Sequence, residues 1–271
     1  MSLIDIIKNE TILAPGVYDP LSALIAQKAG FKALYLSGAS ISYTYLGMQD
    51  LSFTNLTDVE SALRRIKNRV DVPIICDADT GYGNEDNVAY TVRVLERSGA
   101  SAIQLEDQNS PKRCGHLAGK EIIPAQEMVL KIKTAVAARR DAAIIARTDA
   151  ITVSGIEEAI FRANMYMDAG ADIAFVESPR NKEEVNRIAR EVQGLKLINM
   201  VEGGKTPIMD FKDLRSIGFN IVIFPGSAVR TVTYAMENLF RTLYETGSTT
   251  AYRDRMLDFN QLQDILRLQM K

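Results

Sequence analysis

In Pro73-Ile74-Ile75-Cys76-Asp77-Ala78-Asp79 a short apolar run, opened by a proline, ends abruptly in two carboxylates. Such a run is too brief for a helix and apolar on both faces, so it reads as a strand buried in a parallel sheet. The same grammar recurs along the chain. Apolar, β-branched runs at residues 11–14, 33–36, 73–76, 102–105, 143–146, 173–176, 195–198 and 221–224 give eight strands. Amphipathic stretches separate them, such as residues 87–97, which end at Ser98-Gly99. Similar helix stops stand at Ala29-Gly30, Ala169-Gly170 and Ile217-Gly218. Alternating strands and crossover helices imply a parallel α/β sheet.

Polar residues decide between a ring and an open sheet. Just beyond the strands stand Tyr18 and Asp19, Ser37 and Gly38, Asp77 and Asp79, Glu106 and Asp107, Arg147 and Asp149, Glu177, Asn199, and Ser227 with Arg230. Side chains after nearly every strand converge on one place only if the strand ends form a closed circle. An open doubly wound sheet would gather only those near its switch point, and no glycine-rich dinucleotide fingerprint follows the first strand. The expected fold is therefore a (β/α)8 TIM barrel over residues 1–230, followed by C-terminal helices over 231–271. The latter hold two amphipathic stretches, 234–244 and 252–268.

Composition narrows the function. With 32 Lys and Arg against 34 Asp and Glu, the chain lacks the basic excess of a nucleic-acid binder. No apolar run reaches membrane-spanning length. Two cysteines and an N-terminus without a basic, apolar leader point to a cytoplasmic enzyme with reduced thiols.

Three carboxylates, Asp77, Asp79 and Glu106, fall at the ends of neighbouring strands, with Asp50 able to approach from a long loop. Crowded like charges are explained by a hard divalent cation with oxygen ligands, Mg2+ first and Mn2+ second. Zinc would need a paired Cys/His pattern that is missing. In Lys112-Arg113-Cys114-Gly115-His116 a thiol, the only histidine and two cations share one loop. Flanking positive charge is expected to stabilise the thiolate and bring the cysteine pKa near neutrality. Simpler readings stand beside these. Cys76 is core, Arg147 pairs with Glu106 or Glu177, and His116 braces its loop. Residues 131–140 form a solvated helix face, and Tyr43, Tyr45 and Met48 pack beneath an entrance loop.

Tyr35-Leu36-Ser37-Gly38, Asp77-Ala78-Asp79-Thr80-Gly81-Tyr82-Gly83, Glu106-Asp107-Gln108, residues 111–116, Ala146-Arg147-Thr148-Asp149-Ala150 and Glu202-Gly203-Gly204-Lys205-Thr206-Pro207 resemble, in order and spacing, the motifs of the isocitrate lyase and phosphoenolpyruvate mutase superfamily. The resemblance implies a magnesium-dependent barrel that binds a 2-oxo or 2-hydroxy acid. It also implies a homotetramer, a dimer of dimers whose last helices are exchanged between subunits. The cysteine loop is similar to that of the carbon–carbon lyases in this superfamily. Methylisocitrate lyases carry an arginine where this chain has Phe259, and that departure, with Gly203-Gly204, looks more like 2,3-dimethylmalate lyases.

The implied reaction is reverse-aldol cleavage of a 2-hydroxy dicarboxylate to pyruvate and a second carboxylate. Asp77, Asp79 and Glu106 would hold the metal, and Cys114 would donate a proton with Glu177 and His116 tuning it. Arg147 would stabilise developing charge, and Tyr35, ahead of Asp50, would act as base. Ser37, Gly38, Ala39, Arg113, Gly115, Asn199 and Arg230 would bind substrate. Oxaloacetate hydrolysis and phosphonate chemistry of the carboxyphosphonoenolpyruvate or phosphonopyruvate type are the alternatives. Gly81, Gly83, Gly115 and Gly119 are read as hinges of a closing lid.

Overall fold

A computed structural model describes residues 2–267. Eight parallel strands close in sequence order: β1 (Ile12–Val17), β2 (Leu34–Leu36), β3 (Ile74–Asp77), β4 (Ala102–Glu106), β5 (Ala143–Thr148), β6 (Ile173–Val176), β7 (Leu195–Asn199) and β8 (Ile221–Phe224), with β8 pairing back onto β1. Each expected run lies within or beside its strand. Several strands extend past the apolar run into the polar residues, so Asp77, Glu106, Arg147 and Asn199 are the final or near-final strand positions.

Strand alternation divides the molecule into two apolar regions. Inward positions, among them Ile12, Ala14, Tyr35, Ile75, Ala102, Ile145, Phe175, Leu197 and Ile221, form the barrel interior. Outward positions such as Leu36, Cys76, Ile103 and Ile144 pack beneath the helices. Cys76 is fully buried there, as expected of a core thiol. An N-terminal helix, Leu3–Asn9, opens with a reciprocal Ser2–Asp5 capping box and places Leu3 and Ile7 in the interior cluster, closing the lower end of the ring.

Continuing the inward parity upward leads from hydrocarbon to charge. Tyr35 is followed by Ser37, Ile75 by Asp77, Ala102 by Gln104 and Glu106, Ile145 by Arg147, Phe175 by Glu177, and Leu197 by Asn199. Their register places Asp77 beside Gln104 and Glu106 beside Arg147.

Not every polar residue after a strand joins this ring. Asp19 caps the helix Pro20–Lys28 by accepting from the Ser22 amide. Asp107 has the outward parity and accepts from Thr148, Tyr166 and Arg162 under the helix Ile156–Asp168. The expected solvated face at 131–140 needs correction: Lys131 is buried, and its amine reaches the Thr80 carbonyl at 3.3 Å, while its stem covers apolar surface.

After β8 a long helix, Ser227–Thr246, leads through a 3-10 turn, Thr250–Arg255, to the helix Phe259–Leu266. The last helix lies against Pro20–Lys28 of the same chain, where Arg69 Nη2 donates to the Leu266 carbonyl at 2.9 Å. Apolar side chains here face outward, with Tyr234, Phe240, Tyr244 and Phe259 all more than 60% exposed. Residues 268–271, the end of the expected second amphipathic stretch, lie outside the described residues. No described helix is long and apolar enough to cross a membrane.

Candidate active site

Arg147 is the hub at the upper end of the barrel. Its guanidinium lies over the Phe175 ring, 5.3 Å from the centroid, and meets three buried carboxylates. Nη1 is 3.1 Å from Glu106 Oε2, Nε donates to Asp149 Oδ2 at 2.8 Å, and Nη2 stands 3.6 Å from Glu177 Oε2. The expected ion pairing with Glu106 and Glu177 is thus present, with Asp149 as the partner sequence reading did not assign. Burial would push the guanidinium's pKa down, but the three carboxylates outweigh it and fix the positive charge.

The acidic cluster occupies one side. Burial, and then Asp79, push the Asp77 carboxyl up to about 6, and burial raises Glu106 as well. Glu106 Oε1 has no hydrogen-bond partner among the described residues. Asp79 adopts a left-handed backbone conformation (φ 48°), uncommon for a residue bearing a side chain and typical of constrained functional loops. Gly38 lies directly against the pair, where an added Cβ would sit 3.2 Å from Asp77 Oδ2. Buried, crowded oxygens with an unsatisfied acceptor fit a hard divalent cation. No three of them are gathered at mutual ligating distance among the described residues.

Lys112 answers this negative charge. Its ammonium is 2.5 Å from Asp50 Oδ1 and 2.9 Å from Asp79 Oδ1, the latter an ionic contact without hydrogen-bond geometry. Burial alone would push its pKa down, but Asp79 and Asp50 raise it well above the usual range, so the cation persists.

That geometry overturns the expected thiolate. Lys112 is turned to the acids, and Arg113 is exposed with its guanidinium near Gly119. Gln108 ties the Arg113 backbone, accepting from its amide at 3.0 Å and donating to its carbonyl at 2.8 Å. His116 is held below its usual pKa by burial, against the pull of Glu177, and is neutral near pH 7. Burial pushes the Cys114 thiol up, and the His116 amide and Arg147, which pull the other way, do not offset it. Cys114 is thereby held as a thiol.

His116 Nδ1 accepts from the Lys205 amide at 3.1 Å, which assigns the proton to Nε2, 3.7 Å from Glu177 Oε1. The imidazole therefore both braces its loop and faces Glu177. Burial would raise the Glu177 carboxyl, but Arg147 and His116 outweigh it and hold it below the ordinary value. Asn199 Nδ2 donates to Glu177 Oε2 at 3.0 Å, and its Oδ1 has no partner among the described residues. Gly115 fits where no larger residue would: an added Cβ would lie 2.5 Å from Arg147 Nη2 and 2.7 Å from Glu177 Cγ.

Tyr35 is the other revision. Its hydroxyl donates to Gln104 Oε1 at 2.9 Å, while Gln104 Nε2 donates to Asp77 Oδ1 at 3.0 Å. Burial, and then Asp77, push the phenol well above its usual pKa, so it stands protonated as the donor that fixes Gln104 against Asp77. Ser37 caps the short helix Gly38–Ile41 by accepting from the Ser40 amide, leaving the first-turn amides of Gly38 and Ala39 without intrahelical partners. Arg230 is half exposed at the rim, where Nη1 donates to the Glu202 carbonyl.

Tyr43 was missed by sequence reading. It belongs to a π-helical turn, Ser42–Leu46, and is 41% exposed instead of packed beneath a loop. Its phenol is pushed up by burial and then by Cys114 and Asp50. Tyr45 and Met48 are equally exposed. The only available signal was proximity in sequence to Ser37 and Asp50.

Comparison with known proteins shows the family to which such a barrel belongs. The family model for phosphoenolpyruvate phosphomutase matches residues 4–244. The chain is 42% identical to 2,3-dimethylmalate lyase of Eubacterium barkeri, over 96% of this chain and 91% of that one. It is 46% identical to 2-methylisocitrate lyase of Aeropyrum pernix, over 96% and 84%. Among solved structures, oxaloacetate acetylhydrolase in complex with the inhibitor 3,3-difluorooxalacetate superposes with a TM-score of 0.92 at 36% identity, covering 97% of this chain and 92% of that one. A closed barrel carrying this ring of charge, with relatives named as lyases along nearly its full length, belongs to the phosphoenolpyruvate phosphomutase family of the isocitrate lyase and phosphoenolpyruvate mutase superfamily.

Proposed function

We propose that the protein is a carbon–carbon lyase that cleaves a 2-hydroxy dicarboxylate of the 2,3-dimethylmalate or 2-methylisocitrate type to pyruvate and a second carboxylate. The observation that carries this reading is the Cys114 thiol, kept protonated by burial on a loop seated against the Arg147–Glu177 pair. Asp77, Asp79 and Glu106 would hold Mg2+, or Mn2+, which when bound lowers the pKa of the substrate hydroxyl. The amides of Gly38 and Ala39 and the Ser37 hydroxyl receive the carboxylate that becomes part of pyruvate. Asp50, the remaining expected base, takes the hydroxyl proton, and Lys112 beside it absorbs the change in charge. As the C2–C3 bond breaks, its electron pair moves to C3. Arg147 and the Asn199 amide stabilise the charge developing on the adjacent carboxylate. Cys114 delivers its proton to C3, and its transient thiolate is recharged from solvent, with His116 Nε2 and Glu177 orienting the exchange.

Arg230 at the rim supports recognition of a distal carboxylate, and Phe259 supports a smaller substrate. Exposed apolar side chains over the C-terminal helices support a homotetramer in which residues 231–271 are exchanged between subunits, a domain of their own apart from the barrel at 1–230. Light scattering would give that mass.

Pyruvate release in a coupled lactate dehydrogenase assay with Mg2+ tests the reaction. Turnover of 2,3-dimethylmalate above 2-methylisocitrate is expected. Formation of oxalate and acetate from oxaloacetate, with no turnover of either malate, would replace the lyase by a hydrolase.

A further inference from the structure

Lys120 lies outside every motif considered above, yet it is buried among charges. Its ammonium donates to Asp149 Oδ1 at 2.6 Å and to the Gly115 carbonyl at 2.6 Å. Asp149 is the same carboxylate that grips Arg147 through Nε and Nη2. The Gly115 carbonyl takes a second donor, Ser178 Oγ at 3.0 Å, from a residue whose left-handed backbone (φ 60°) directly follows Glu177. Two donors thus converge on one carbonyl, next to Cys114, and each leads back to a charged group at the floor of the site. The other anchors of the loop hold its flanks: Ser52 on the Lys112 carbonyl, Gln108 on Arg113 and the Lys205 amide on His116.

We infer that Lys120 is a positioning residue for Cys114: through Asp149 and the Gly115 carbonyl it locks the thiol-bearing loop in register with the Arg147 guanidinium. An isolated salt bridge on a surface would hold nothing so firmly, but this one has nearly no exposed atoms. Ser178 supplies the weaker half of the clamp. A substrate anion that draws on Arg147 is thereby felt at the loop without any direct contact.

The inference rests on the lyase reading for its catalytic meaning, but its test does not. Cys114 and Cys76 are the only thiols, one partly exposed on the loop and one sealed in the core. Iodoacetamide labelling of both, followed by peptide mass spectrometry on the full-length protein, reports the loop at Cys114 and the integrity of the fold at Cys76. Lys120→Met should speed Cys114 labelling at least tenfold while Cys76 stays protected, and Lys120→Arg should return the rate to within about threefold of the parent. Loss of a nearby cation by itself disfavours the thiolate and slows alkylation. Acceleration therefore reports release of the loop and not a change in thiol chemistry. In the pyruvate assay kcat should fall with little change in KM.

An unchanged Cys114 rate with Cys76 protected would overturn the proposal. Should Lys120→Met also expose Cys76, the milder Lys120→Gln decides by the same criterion, and exposure of Cys76 in both would reduce Lys120 to a structural role. Absence of pyruvate release from the parent protein would remove the lyase reading while leaving the labelling result intact.

Discussion

The two ends of the barrel are built from the same strands with the same inward parity, yet they obey opposite rules. At the lower end Ile12, Ile75, Ile145, Ile173 and Leu197 fill the interior beneath the Leu3–Asn9 helix, and each buried side chain stabilises the fold. Two residues further along, or four after Ile173, the same faces carry Asp77, Arg147, Glu177 and Asn199, all buried and several held away from their usual pKa. The lower layer supplies stability that the upper layer consumes. Preorganised charge is costly to bury and useful for that reason, because few waters are left to rearrange during reaction.

The sharpest way to break this contrast is at Arg147. Replacing it by Met leaves Glu106, Asp149 and Glu177 without their shared cation, and about 3–5 kcal/mol of stability should be lost by urea unfolding. Pyruvate release should fall at least ~10³-fold. Full activity in a folded variant would remove Arg147 from the chemistry. Cys114→Ser should separate the two properties: turnover drops ~10²–10⁴-fold, while the unfolding midpoint stays within about 0.5 kcal/mol of the parent. The mirror experiment is Ile173→Ala on the lower layer, expected to cost about 2–5 kcal/mol. Its kcat, measured well below the melting temperature, should remain within a few-fold; a collapse of kcat would mean the layers are not separable.

The smallest effect concerns pH. Asp77 has a folded pKa of about 6 against an ordinary 3.8, so between these values the folded protein holds a proton the unfolded chain has released. Its contribution therefore makes the metal-free protein less stable as pH rises from about 4 to about 6, by up to about 1.4 kcal/mol per pH unit. Asp77→Asn should remove that slope in urea titrations with chelator present. Mg2+ should stabilise the parent more at pH 7.5 than at pH 5, since cation and proton compete for the same oxygens.

Much of this was legible because periodicity and parity are local. The run from Ile74 to Asp77 announces both a buried strand and the face its carboxylate joins, and the same holds for Glu106, Arg147 and Asn199. Loop cations were not legible. Lys112, Arg113 and Cys114 are adjacent in sequence, but their side chains go to the acids, to solvent and into the site, because the destination is set by carboxylates contributed from other strands. Lys131 read as part of a solvated face and Lys120 drew no reading at all for the same reason, since nothing nearby in sequence reveals the Thr80 carbonyl or the Asp149 carboxylate waiting for each. Tyr43 escaped because its π-helical turn has no distinctive periodicity.

Sealing the lower end with Leu3 and Ile7 turns the barrel from a tube into a cup. A cup has one mouth, so whatever enters above the strand ends must leave past the same 112–120 loop. On the proposed reaction, a cleavage that makes two molecules from one would then impose a queue, in which a fragment held against Ser37 and Gly38 would be the last to go.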